Sequence, residues 1–172
     1  MPNIFEGSLS TSRGRFAIVV SKFNPSITGR LQDGAVETLV AHGVADDHID
    51  VARVPGAFEI PAVAERLAGS GRYAAVICLG AVIRGETTHD QHINRAVSTA
   101  LMEIGIRHAL PVIFGVLTCN NLEQAIARSG GQSGRKGKDL QESGTSNKGV
   151  EAAEAALEMV DLLAKLPERS NE

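Results

Sequence analysis

The chain has 172 residues, of which 43% are hydrophobic and 22% charged, and this excludes a disordered chain and indicates one folded domain over residues 1–172. Acidic residues outnumber basic ones by 20 to 17, and no basic stripe with interleaved aromatic residues occurs, so we expect no nucleic-acid partner. The apolar runs fall far short of the roughly 20 residues that cross a bilayer, and the N-terminus lacks a signal-peptide pattern. We therefore expect a cytoplasmic protein with no membrane partner.

The first predicted element is a strand over 15–21, a continuous apolar run that ends at polar residues, as buried parallel strands do. Asn24 followed by Pro25 predicts the start of a helix, with Asn24 as its capping residue. Apolar residues at helical spacing continue from there to a stop at His42 and Gly43. The chain therefore begins with a strand followed by a helix.

The same alternation continues through the middle of the chain. A second strand over Ile49–Val54 precedes a short helix over 60–68, which ends at glycine. The most apolar stretch, 73–83, predicts a central strand, and a helix over 88–104 and a strand over 112–118 follow it. These elements add two further strand and helix pairs and a fourth strand.

Two helices complete the chain. Asn120 with Glu123 three residues later resembles a capping box and predicts a helix that runs to Arg128. Alanine-rich residues 150–164 predict a last helix. Between these helices, residues 129–146 contain five glycines and almost nothing apolar, which indicates a flexible insert.

The element order implies right-handed crossovers and a parallel sheet. We predict an α/β three-layer sandwich, with a four-stranded parallel sheet and helices on both faces. Residues 1–13 have too little periodicity to be assigned and are interpreted as an N-terminal arm. The two cysteines, Cys78 and Cys119, lie in or at the end of apolar runs without zinc-binding spacing, so we expect reduced, buried thiols.

Ligands of an open parallel sheet bind beyond the carboxyl ends of its strands. Among the segments at that edge, 84–89 is the most informative, because Gly85 and two threonines at a helix start offer N–H and hydroxyl donors to a phosphate. His89 falls in the first turn, where the helix dipole favours a neutral ring that can accept a proton. An ordinary surface histidine remains the alternative. His92 makes a His-x-x-His pair with it, but no third metal ligand is evident, so we predict no metal site.

Two other uses of this architecture fit the strand ends poorly. A phosphate-accepting receiver domain needs acidic residues after the first and third strands, where this chain has Ser21 with Lys22 and Leu79 with Gly80. A flavodoxin-type FMN site needs a loop rich in hydroxyl groups and glycine after the first strand, and 22–25 is not one.

Five segments, in order along the chain, resemble the 6,7-dimethyl-8-ribityllumazine synthase family. They are Phe23 with Asn24, VPGAFEIP at 54–61, LGAVIRGETTH at 79–89, PVIFG at 111–115 and EQAIAR at 123–128. The resemblance covers 14–163 except the insert, and each segment falls at a predicted strand or at a helix start. It implies the flavodoxin-like lumazine synthase fold.

The resemblance implies a transferase that acts in riboflavin biosynthesis. Its small-molecule substrates would be 5-amino-6-(D-ribitylamino)uracil and 3,4-dihydroxy-2-butanone 4-phosphate, which condense to 6,7-dimethyl-8-ribityllumazine with release of phosphate and water. No cofactor and no metal are implied. Because the attacking amine belongs to the substrate, the enzyme needs no nucleophile of its own and contributes orientation, proton transfer and phosphate binding.

The same resemblance implies a role for each matching residue. Phe23 would stack on the pyrimidine, and His89 would transfer protons. The ribityl chain would contact Asn24, Ala57, Phe58 and Glu59. The pyrimidine edge would meet the main chain of Ala81, Val82 and Ile83. The phosphate would be held by Gly85, Glu86 and Thr87, with the amide of Glu86 and not its carboxylate facing the anion.

Phe114 and Arg128 match residues that the family donates from a neighbouring subunit, so a homo-oligomer, a homopentamer by resemblance, is expected. Family members that build sixty-subunit shells join their last two helices by a short kink that ends in Asn-Lys-Gly. Here Asn-Lys-Gly is present at 147–149, but the insert before it is about a dozen residues longer than that kink. We therefore predict a free pentamer or a pair of pentamers. The insert leaves open whether Lys148 reaches the substrate.

Two alternatives share this fold. One is a catalytically weak flavin-binding or scaffold paralogue, which the presence of His89 and Arg128 disfavours. The other is an archaeal-type riboflavin synthase, which the long match at 85–89 disfavours. Association with a separate riboflavin synthase is left open by the sequence.

Overall fold

A computed structural model describes residues 1–9, 14–131 and 146–167. Within these ranges, four parallel strands form one sheet in the order β2-β1-β3-β4. The strands are β1 (Phe16–Ser21), β2 (Ile49–Val54), β3 (Ala75–Ile83) and β4 (Val112–Cys119). The helices are α1 (Pro25–Ala41), α2 (Ile60–Ala68), α3 (His89–His108), α4 (Leu122–Arg128) and α5 (Lys148–Lys165), with single 3-10 turns at Asp46–His48 and Ala57–Glu59.

The core lies on both faces of the sheet, because successive side chains of a strand point to opposite sides. Phe16 and Ile18 of β1 pack with α1, α4 and α5 on one face, whereas Ala17 and Val19 pack with α2 and α3 on the other. Each fully buried large aliphatic side chain contributes about 1.5–3 kcal/mol to stability. The predicted α/β sandwich with helices on both faces of a parallel sheet is confirmed.

The predicted start of α1 is confirmed, since Asn24 is its N-cap residue and Pro25 its first residue, but the side chain of Asn24 does not cap the helix. Asn24 adopts a left-handed backbone conformation with φ 58°, and its side chain makes no capping hydrogen bond. Its Nδ2 instead donates to the carbonyl oxygen of Ala81 at 3.0 Å. Asn24 therefore ties the start of α1 to β3.

The predicted start of α4 is wrong by one residue. The capping residue is Asn121, whose Oδ1 accepts from the backbone N–H of Gln124 at 2.9 Å. Gln124 in turn accepts through Oε1 from the backbone N–H of Asn120 at 2.8 Å. Asn120 with Glu123 had indicated the right helix but the wrong pair.

The two uncertain segments of the sequence lie partly outside the described ranges. Of the predicted arm, residues 1–9 are described and contain no helix or strand. Ser8 docks them on α5, since its backbone N–H and its hydroxyl both donate to Asp161 at 2.7 and 2.8 Å. Of the predicted insert, 132–145 lies outside the described residues. Of the described helices, none combines the length and apolar character that crossing a bilayer demands.

Candidate functional site

The aromatic cleft is a cavity of about 410 Å³ at the carboxyl ends of β1, β2 and β3. It is lined by Phe23, Gly56, Ala57, Phe58, Glu59, Ala81, Val82, Ile83, Gly85, Thr87, His89, Asp90 and Ile93. Segments that lie far apart along the chain meet here because parallel strands end at the same edge of the sheet. The structure thus brings together most of the residues that the sequence predicted for the site.

Hydrogen bonds beyond the ends of β1 and β2 hold the first wall of the cleft. The backbone N–H groups of Lys22 and Phe23 donate to the carbonyls of Val54 and Pro55 at 2.8 and 3.2 Å. In the next turn, Glu59 accepts through Oε2 from the N–H of Gly56 at 2.9 Å. These bonds fix the backbone at Phe23 and orient the Glu59 carboxylate.

Two phenylalanine rings are exposed at this edge, although aromatic residues make up only 3% of the chain. Phe23 is 71% exposed and Phe58 is 62% exposed, and both line the aromatic cleft. An exposed aromatic pair in a concave site gains most when a flat apolar or aromatic ligand covers it. The cleft is therefore suited to a planar heterocycle.

The end of β3 offers backbone groups to such a ligand. Pairing between β1 and β3 ends at Leu79, whereas β4 stays paired with β3 as far as Ile83. The last residues of β3, among them Ala81 and Val82, are consequently paired with a strand on one side only. The carbonyl of Ala81 accepts from Asn24, and the other backbone N–H and C=O groups on the unpaired side of β3 are available to a ligand in the cleft.

The loop after β3 leads into the start of α3, where the helix dipole presents its positive end. A Cβ built on Gly85 would have no atom within 4 Å, so the space beside this backbone is open. Thr87 accepts through Oγ1 from the N–H of His89 at 3.4 Å, and this places His89 as the first residue of α3. An anion and a proton acceptor can be accommodated side by side here.

The cationic cleft is a second cavity, of about 390 Å³, beside the edge strand β4. It is lined by Phe114, Val116, Leu117, Thr118, Arg128, Ser146, Lys148 and Glu151. The ammonium group of Lys148 pairs with Glu151 at 2.8 Å. Among the described residues, the guanidinium of Arg128 has neither an ion pair nor a hydrogen bond, so it remains available to an anion.

As lined by the described residues, the two clefts have no residue in common. Within one chain, Phe114, Arg128 and Lys148 therefore lie together but apart from Phe23 and His89. The structure places two further predicted contacts outside the lining of both clefts. These are Asn24, whose amide is engaged by Ala81, and the exposed Glu86.

Three lining residues, Gly56, Asp90 and Ile93, were not predicted as site residues. Ile93 lies one turn after His89 on the same face of α3, a spacing that could have identified it. Asp90 has a buried Oδ1 atom without a hydrogen-bond partner among the described residues. Its position next to His89 could have identified Asp90 as a site residue. That its side chain is directed inward follows only from the packing of α3.

Within the described ranges, neither the cysteines nor a group of metal ligands offers a competing reactive site. Both cysteines are buried and free, as predicted, and burial raises the pKa of the Cys78 thiol far above its ordinary value. Across 1–9, 14–131 and 146–167, no three His, Cys, Asp or Glu side chains are grouped so as to hold a metal ion.

Comparison with known proteins identifies the family. A profile described as 6,7-dimethyl-8-ribityllumazine synthase matches residues 13–164. The chain belongs to this family. It is 46% identical over 166 residues to the 6,7-dimethyl-8-ribityllumazine synthase of Desulfotalea psychrophila, covering 96% of this chain and 99% of that protein. The protein of the same name from Desulfatibacillum aliphaticivorans is 44% identical over 162 residues, covering 94% and 97%. The resemblance to the lumazine synthase family is thus confirmed, and the matched range includes both clefts.

Proposed function

We propose that this chain is a transferase that condenses 5-amino-6-(D-ribitylamino)uracil with 3,4-dihydroxy-2-butanone 4-phosphate to 6,7-dimethyl-8-ribityllumazine. The observation that carries the proposal is the aromatic cleft, in which two exposed phenylalanine rings, an open strand end and a helix start with His89 converge. Relatives that match nearly the whole chain carry the name of this synthase. The reaction belongs to riboflavin biosynthesis.

The pyrimidine substrate fits the apolar side of the cleft. Phe23 stacks on its ring, while the main chain of Ala81, Val82 and Ile83 hydrogen-bonds its polar edge. The ribityl chain lies along the turn after β2, where Glu59 accepts from its hydroxyl groups and Phe58 covers it. Asn24 acts indirectly in this arrangement, because its amide is bound to the carbonyl of Ala81.

The phosphate ester lies at the start of α3. Gly85 and Thr87 offer an open backbone and a hydroxyl group there, and the helix dipole stabilises the negative charge. His89 then takes protons from the attacking amine and returns them to the departing oxygen atoms as water and phosphate leave. No cofactor takes part in this scheme.

The cationic cleft completes the site of a neighbouring subunit. An interface between two different surfaces of neighbouring copies is a head-to-tail interface. Such interfaces close into a ring when the rotation between neighbouring subunits divides a full turn. The two clefts are such unlike surfaces, since they share no lining residue. We assign Phe114, Arg128 and Lys148 to the neighbour's cleft in a homopentamer, in which Arg128 closes over the phosphate. The long insert argues for free pentamers over a closed shell.

The activity is tested by supplying both substrates to the purified protein and following lumazine absorbance. We expect turnover without added metal or cofactor. We also expect the enzyme to be cytoplasmic, and its mass measured by light scattering to be that of a pentamer. Flavin binding without turnover would contradict the proposal and favour the binding or scaffold alternative. A particle near one megadalton, the mass on the order of a sixty-subunit shell, would contradict the free pentamer.

Sharing of the site is tested by mixing inactive subunits. His89→Ala damages the aromatic cleft and Arg128→Ala damages the cationic cleft, so each variant alone has little activity. When the two variants are co-expressed in equal amounts, about a quarter of the head-to-tail interfaces combine the intact aromatic cleft of an Arg128→Ala subunit with the intact cationic cleft of a His89→Ala subunit. Activity should therefore recover to about a quarter of that of the parent protein. Recovery no greater than the average of the two variants would refute a shared site.

A further inference from the structure

The segments that carry Arg128 and Lys148 are joined at the base of the cationic cleft. Ser129 and Asn147, the residues that follow Arg128 and precede Lys148, form an isolated antiparallel bridge. The backbone N–H of Gly130 donates to the carbonyl of Ser146 at 3.1 Å, and Ser129 is fully buried. These bonds thus fix the backbone positions of Arg128 and Lys148 relative to each other.

The side chain of Asn147 holds this junction. Its Nδ2 donates to the carbonyl oxygen of Arg30 at 3.0 Å and to that of Ser129 at 3.2 Å. Its Oδ1 accepts from the backbone N–H of Gly149 at 2.8 Å, which caps α5. One amide group therefore connects α1, the segment after α4 and the start of α5.

Glycines surround this amide and leave no spare room. A Cβ on Gly34 of α1 would lie 2.6 Å from Nδ2 of Asn147, and one on Gly130 would lie 3.1 Å from the same atom. A Cβ on Gly149 would overlap the carbonyl oxygen of Leu31. The close approach of α5 to α1 thus depends on small residues on both sides of Asn147.

Capping alone does not account for these contacts. A helix cap needs only the acceptor Oδ1, and serine or aspartate would supply one equally well. The two Nδ2 bonds serve a different purpose, because they end at α1 and at the residue next to Arg128. Amide donors are what asparagine offers and these other capping residues lack.

We propose that Asn147 is a positioning residue that holds Arg128, relative to Lys148, in the orientation needed to bind the phosphate ester of the substrate. The inference rests on the proposed function. Misplacement of a binding group by about 1 Å can cost on the order of 100-fold in rate. A hydrogen-bonded junction at the residue next to Arg128 therefore has a direct consequence for phosphate binding. The pyrimidine lies on the other cleft's residues and is affected much less.

A matched pair of glycine variants tests the proposal without changing residue 147. Gly34→Ala pushes on the Asn147 amide, whereas Gly29→Ala lies in the same helix with no atom within 4 Å of the new Cβ. For Gly34→Ala we expect about a tenfold rise in the KM of the butanone phosphate, and an equal weakening of inhibition by inorganic phosphate. The KM of the pyrimidine should stay within about twofold for both variants, and Gly29→Ala should behave as the parent.

Asn147→Ser provides a second variant, because serine keeps the cap of α5 and removes both Nδ2 donors. The same selective rise in the butanone phosphate KM is expected, with cooperative thermal unfolding preserved. A loss of kcat with both KM values unchanged would show a purely structural role and overturn the proposal. An inactive parent protein would instead refute the proposed function, so the two failures are distinguishable.

Discussion

The two ends of the same four strands are built differently. At the amino end, Arg15 pairs with Asp50 at 3.1 Å, and the Tyr73 hydroxyl donates to the same carboxylate at 2.8 Å. At the carboxyl end, Phe23 and Phe58 are exposed, and the His89 ring makes no hydrogen bond within the described residues. At the amino end these side chains bind one another, although Nε of Arg15 is buried without a partner among the described residues, whereas the carboxyl end leaves its aromatic and imidazole rings available.

This difference separates residues that stabilise the fold from those that we propose act on the substrates. Buried or half-buried polar groups that serve stability find partners within the chain. Groups that serve a ligand have to stay open until the ligand arrives, and they lie on segments that a rigid sheet positions. Substitutions at the carboxyl end should therefore change activity without changing stability, and those at the amino end should do the reverse.

The largest effect is expected for His89→Ala. Loss of a general acid or base lowers kcat by on the order of 100-fold or more, whereas the exposed side chain contributes little to folding. Steady-state kinetics and a thermal melt measure both quantities. The control is His92→Ala, an exposed histidine of the same helix that does not line the aromatic cleft and should retain full activity.

A smaller effect on binding is expected for Phe23→Ala. Stacking of an aromatic ring on a heterocycle is worth about 0.5–1.5 kcal/mol, so the KM of the pyrimidine should rise by up to about tenfold. Phe23→Tyr keeps the ring and should bind nearly as the parent does. Lowered thermal stability of Phe23→Ala would mean that the ring belongs to the core, contrary to its exposure.

At the amino end, Tyr73→Phe should affect stability alone. It removes the hydroxyl bond to Asp50, and a hydrogen bond contributes about 1 kcal/mol to the free energy of unfolding. Because the Asp50 side chain is 42% exposed, solvent weakens this interaction. We therefore expect Tyr73→Phe to lower the free energy of unfolding by about 0.5–1 kcal/mol, the lower half of the usual range. Urea denaturation measures this loss, and a change in kcat or KM would break the separation between the two ends.

The smallest effect is the dependence of stability on acid. The hydrogen bond from Tyr73, followed by those from Arg15, holds the pKa of Asp50 below its ordinary value of 3.8. The stabilisation is therefore complete above that value and is lost as the pH falls through the lower, folded-state pKa. In this acidic range, the melting temperature of Asp50→Asn should depend less on pH than that of the parent protein. An unchanged pH dependence would show that the exposed Asp50 interactions do not contribute to stability.

Local patterns were sufficient to predict most of the fold. β2 was predicted with its observed bounds, because its β-branched residues are followed directly by Pro55 and Gly56, which end the strand. The end of α3 was set four residues short of His108, since its last turn is more polar than the rest. Asn24 before Pro25 predicted the start of α1 correctly, but the partner of its amide group lies on β3, which no local pattern shows.

The sequence by itself determined the alternation of strands and helices, the family and the clustering of site residues at strand ends. These properties follow from hydrophobic periodicity and from motifs of adjacent residues. Only the tertiary structure decided that the predicted site falls into two separate clefts, that Asp90 turns inward, and that Asn147 joins three segments. The reason is that a side chain's partner is chosen by the packing of elements far apart along the chain, where no local pattern records the distance.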